Sequence, residues 1–130
     1  IYGKLGFSYF YAENYVKALE NFEMSTQIAL EAINEEMLHV KIYRALTKKQ
    51  LGKVYDISEI LKIDKIEEKV RNYYLDQFGL YKLLGDRVYL ENAFNDIQEK
   101  AGRMEDEFKQ KYLNYQVQKQ IIEEYNKVFS

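Results

Sequence analysis

The residues best placed to do chemistry are Glu35, Glu36 and the single histidine, His39. Helical residues three or four apart share a face, so Glu36 and His39 would stand together as half of a carboxylate–imidazole metal site. The other half would need a second histidine facing more carboxylates, and the chain has only His39. Acidic side chains at a helix start, where they complement the positive end of the dipole, explain the cluster without an ion. We therefore expect no metal and no cofactor. A phosphate cradle would require a glycine-rich loop between a strand and a helix. Leu51-Gly52-Lys53 and Leu84-Gly85-Asp86 are instead isolated helix-ending glycines. With no cysteine, thiol nucleophiles, zinc–thiolate sites and disulfides are excluded. Any carboxylate pair drawn from the 21 acidic residues lacks a neighbour that would tune it. No catalytic residue is assigned, and the chain is expected not to be an enzyme.

Tyrosine is the compositional outlier, with 13 copies beside 7 phenylalanines and no tryptophan. Tyr and Phe can serve as spacers between packed helices, or as a contact surface with a large area and a polar tip. Tyr9, Tyr15, Tyr74 and Tyr81 fit the spacer role. Phe7, Phe10 and Tyr11 lie on a different face of their helix, beside the core positions.

These side chains have to be positioned by helices. The 130 residues contain no proline and only 6 glycines, so the turn punctuation of an all-β fold is missing while 3.6-residue periodicity persists. An all-α chain follows. Lys+Arg 19 against Asp+Glu 21 leaves a charge of −2, without the basic excess that phosphate contact requires, so no nucleic-acid binding is expected. No apolar run reaches the roughly 18–20 residues of a membrane span. The expected location is the cytoplasm. Because the sequence opens at Ile1 within a helical pattern, it is expected to be a segment of a longer protein.

Along the chain, a first hairpin covers 1–33, turning at Ala12-Glu13-Asn14, where Asn14 can cap the following helix. Asn34 would cap a third helix over 35–51 that Gly52 closes, and a fourth runs from Val54 to about Ile63. After a polar connection near 64–68, a fifth helix runs from about 67 to Leu84 and stops at Gly85-Asp86. Gly79 within it suggests a close helix crossing. A long helix is expected over 104–129, with Ala101, Phe108, Tyr115, Ile122 and Phe129 forming a seven-residue rail that Lys111 and Gln118 interrupt on its flank. That helix either caps the last hairpin or leads as a coiled coil into a following domain.

The order Tyr2, Leu5, Gly6, Tyr9, then Tyr15, Ala18, Phe22, Ser25 resembles a tetratricopeptide repeat (TPR): a large aromatic, Leu-Gly, Tyr, a turn, then Tyr, Ala, Phe and a small residue. Two features depart from that pattern, Glu13 where the family prefers Gly and Leu30 where it prefers Pro. A degenerate second repeat over 35–64 places Ala45, Ile57 and Leu61 on family positions, with Arg44 and Lys48 where Leu and Tyr are expected. A third over 67–100 places Tyr74, Tyr81, Leu90, Phe94 and Ile97. Gly52 and Gly85 recur near the family's period of about 34 residues.

The resemblance implies a TPR-like α-solenoid, a right-handed superhelix of stacked hairpins, closed by the long C-terminal helix. It also implies a protein- or peptide-binding module of a larger bacterial signalling or regulatory protein. Matched by position, the concave groove would include Phe7, Phe10, Tyr11, Leu46, Lys49 and Lys82, suited to a peptide with apolar anchors and a carboxylate. Alternatively, Phe7 and Phe10 would pack on a preceding repeat. The rival functions are a Gram-positive peptide-pheromone receptor, which uses similar repeats, and a scaffold that dimerises through its N-terminal face or C-terminal helix.

Overall fold

The computed structural model describes residues 1–33, 38–58, 60 and 73–130. Seven helices are present among them and no strand: α1 (Tyr2–Tyr11), α2 (Tyr15–Ile33), α3 (Leu38–Gln50), α4 (Tyr74–Leu84), α5 (Arg87–Gly102), α6 (Asp106–Leu113) and α7 (Gln116–Phe129). None is long and apolar enough to cross a membrane. The chain divides into two compact units, Ile1–Ile66 and Glu67–Ser130, where the sequence pattern reads as one domain. Asn34, Glu35, Glu36, Leu61 and Ile63 fall outside the described residues, as does the start expected for a helix near 67.

In the first unit, α1 and α2 form a hairpin against which α3 packs, chiefly through α2. The hairpin closes on Gly6, where a Cβ would stand 2.5 Å from Cε1 of the buried Phe22. Ala18 beside it is fully buried. Chain reversal follows a complete left-handed helix stop. Glu13 takes φ +61°, its amide donates to the Phe10 carbonyl, and the Asn14 amide donates to that of Tyr9. Asn14 then caps α2, its Oδ1 accepting from the Lys17 amide at 3.3 Å. α3 stops in the same way at Gly52 (φ +71°), with the Lys53 amide on the Lys48 carbonyl. The next segment turns helical only at Ile57, later than Val54; Asp56 explains the delay, because its Oδ1 accepts from the amide and hydroxyl of Ser58. Phe10, Phe22, Val40, Ile42, Tyr43, Leu46 and Ile60 are buried here.

In the second unit, α4 ends at Gly85 (φ +80°), and Asp86 caps α5 through the Val88 amide. The other end of α4 is capped from a distance: Oδ2 of Asp96 on α5 accepts from the Tyr74 amide at 2.7 Å and from Lys100 Nζ at 2.9 Å. Phe78, Leu90, Ala93, Ile97 and Ile121 form the core, with Tyr74, Tyr81, Phe94 and Tyr125 packed around it. Gly79 is buried inside α4.

The single helix expected over 104–129 is two helices. The amides of Asn114 and Tyr115 reach back three residues, to Lys111 and Tyr112. The carbonyl that would continue the α-helix at Asn114, that of Gln110, is taken by the Asn114 side chain at 2.7 Å. Tyr115 then extends (φ −62°, ψ 150°) and starts α7. The seven-residue rail is thereby divided. Ala101 belongs to α5, Phe108 lies on exposed α6, and Tyr115 is an exposed link. The inner face of α7 is Gln118, Ile121 and Tyr125, whose ring stacks on Phe94 with centroids 3.7 Å apart. Gln118, a polar break in the rail pattern, is buried and donates to the Tyr74 hydroxyl.

Candidate functional site

Of the six residues assigned to a concave groove, the structure joins three into one aromatic cluster. Phe7 and Phe10 lie on α1 with ring centroids 4.8 Å and 5.3 Å from Tyr43 of α3. The Tyr11 hydroxyl meets that of Tyr43 at 2.6 Å. Phe10 and Leu46 are buried, so neither offers surface to a ligand, whereas Phe7 and Tyr11 stay half-buried and Lys49 is exposed. Tyr43, the centre of this cluster, was not singled out from the sequence. It stands 32 positions from Tyr11, and no helical spacing links residues on different helices.

His39 forms part of the same cluster, its ring 5.6 Å from Phe7. Burial lowers its pKa below the usual imidazole value of 6.5, so the folded state favours the neutral form. Among the described residues no group of three His, Asp or Glu could hold a metal ion.

Lys82 belongs to the second unit. Its ammonium lies 4.5 Å from the Phe78 ring centroid, in a shallow cleft of about 270 Å³ that α4 and α7 line with Gln120, Glu123, Glu124 and Lys127. Burial pushes its pKa down to about 8, and Glu124 partly opposes the shift.

A cavity of about 120 Å³ beside α3 is lined by Lys41, Arg44, Lys48, Tyr55 and Asp56. Its cations are engaged: Arg44 donates to Thr26 at 3.0 Å, and Lys48 stands 3.8 Å from Glu23. Arg44 and Lys48 thus tie α3 to α2 through polar contacts.

Another concavity, of about 630 Å³, runs along the side of α2. Val16, Leu19, Glu20, Glu23, Met24 and Gln27 form one wall, and Leu51 and Lys53 the other. Val16 is 59% and Met24 41% exposed, well above what an ordinary core position shows. The six α2 residues recur at helical spacing, one side of an amphipathic helix. The repeat pattern draws attention to Tyr15, Ala18 and Phe22 and passes over this side. A count of apolar residues against the core face would have found it: Val16, Met24, Ile28 and Leu30 are all exposed.

Compared with family models, curated proteins and solved structures, the chain matches none.

Proposed function

We propose that this chain is a polypeptide-binding module built from helical hairpins of tetratricopeptide type, acting within a larger cytoplasmic regulator. The observation that carries the reading is the groove on α2, an apolar-floored channel of about 630 Å³ with Val16 and Met24 open to solvent. Exposed apolar surface bordered by polar residues is the usual mark of a protein contact. The hairpin type is supported by the close contact of Gly6 with Phe22 and by left-handed helix stops at Glu13, Gly52 and Gly85. The aromatic face of α1 is the weaker candidate surface, because Phe7 and Tyr11 are already packed on Tyr43.

The test is selection of binders from a displayed random peptide library on the full chain, followed by titration of the winners. Affinity should fall in a Val16→Ala/Met24→Ala double variant and hold in Phe7→Ala/Tyr11→Ala. A library that yields no binder, or winners indifferent to both double variants, defeats the reading.

A further inference from the structure

We infer that the α2 groove receives an amphipathic helix from another protein, with apolar side chains facing Val16, Leu19, Met24 and Leu51 and basic side chains on the flank nearest α2. This names the partner class of the site proposed above and rests on that reading.

Shape supplies the first argument. From Val16 to Gln27 the groove follows about three turns of α2, roughly 16 Å at 1.5 Å per residue. A helix of comparable length can lay an i, i+3, i+4, i+7 stripe along such a channel. An extended peptide is a poorer guest. It must find partners for its own amides and carbonyls, and the described residues include no strand whose edge could pair with it. A helix satisfies those groups internally and presents only side chains.

Charge supplies the second. The α2 wall carries Glu20 and Glu23, and among the described residues the one cation lining the groove, Lys53, stands on the opposite wall. Glu20 has no ion-pair partner among the described residues, and Glu23 has only Lys48 at 3.8 Å. Glu31, about two turns beyond Glu23 along α2, is exposed. The groove is therefore polarised across its width, acidic beside α2 and basic beside Leu51. A guest with Lys or Arg toward α2 complements it, and one with carboxylates there is repelled. Such complementarity mainly selects the partner and sets its orientation, while the apolar floor supplies most of the affinity.

The experiment is fluorescence anisotropy on the full chain with three labelled peptides of about 15 residues, long enough to adopt a helix when bound. The first carries a leucine stripe with lysines along one flank, the second the same stripe with glutamates, and the third the first composition scrambled to destroy the stripe. The first should bind about tenfold or more tighter than either other. Val16→Ala/Met24→Ala should weaken it by a similar factor, and Glu20→Lys should shift preference toward the second. These positions are exposed, so circular dichroism should show the fold unchanged. Equal binding of the first two peptides overturns the basic partner and leaves the module standing; equal binding of the first and third overturns the helical guest. Binding of none while library-selected peptides still bind also overturns this inference alone. A monomer–dimer equilibrium in sedimentation that Val16→Asp/Met24→Asp abolishes would assign the groove to a second copy of the chain and overturn it too.

Discussion

Gly6→Ala is the substitution whose outcome the structure determines most sharply. Two effects oppose each other. Replacing a glycine inside a helix gains about 1 kcal/mol of propensity. Against that, the new methyl carbon would lie 2.5 Å from Cε1 and 2.6 Å from Cδ1 of Phe22. The ring cannot easily retreat, because Phe22 is fully buried and its edge meets Phe7 at a centroid distance of 5.3 Å. Overpacking of this kind costs about 1–3 kcal/mol, so the net expectation is a loss of about 1 kcal/mol, with α1 displaced from α2. Gly102→Ala is the control: it too is helical, but its added carbon meets nothing within 4 Å, and stability should rise by about 0.5 kcal/mol. Urea unfolding followed by circular dichroism measures both, with the slope checked for constancy. Adding Phe22→Leu to Gly6→Ala should recover part of the loss relative to Phe22→Leu alone, a coupling that a double-mutant cycle reads directly. If Gly6→Ala stabilised the protein as much as Gly102→Ala, the close α1–α2 contact would be refuted.

Three further outcomes are expected. Glu13→Gly should stabilise the chain by about 0.5–1 kcal/mol in urea unfolding, because a non-glycine residue at φ +61° bears left-handed strain that glycine avoids; Gly52→Ala, at φ +71°, should move stability the other way. Asp96→Ala should cost about 1–2 kcal/mol by removing the remote cap on the Tyr74 amide and the partner of Lys100; hydrogen exchange should speed first at the start of α4, and Asp96→Asn should cost less. For His39, burial holds the folded pKa below the 6.5 of the free side chain. On acidification below pH 6.5 the unfolded chain therefore gains a proton before the folded one, and stability falls until the folded imidazole titrates as well. Thermal unfolding of His39→Gln should lack this part of the pH dependence.

The helices were legible because their signals are local. Absence of proline, capping at Asn14 and glycines at the helix stops each act within a few residues, and the structure uses Asn14, Gly52 and Gly85 in these roles. Gly6 and Ala18 stand out in the sequence only as the small residues of the order that resembles a tetratricopeptide repeat, and both are buried where α1 meets α2. The break at Asn114 was not. It depends on whether a side chain or the backbone captures the Gln110 carbonyl, a competition that periodicity cannot settle, and the heptad rail made continuity the simpler expectation. The cap at the start of α4 was hidden for a related reason, since Asp96 is 22 residues from the amide it serves.

The candidate groove was overlooked because a repeat pattern describes the side of a helix that packs. α2 has two such allegiances. Phe22 and Thr26 are buried, Thr26 bonded to Arg44 of α3, while Val16 and Met24 stay open on another side. Burying those two would remove apolar surface at about 25 cal/mol per Å², a gain the described fold leaves unrealised. At the same place the α2 carboxylates Glu20 and Glu23 line the channel. A purely structural helix side needs only one of these features, solvated charge or buried hydrocarbon. The two together, in a channel about three turns long, are what a basic amphipathic helix would satisfy at once.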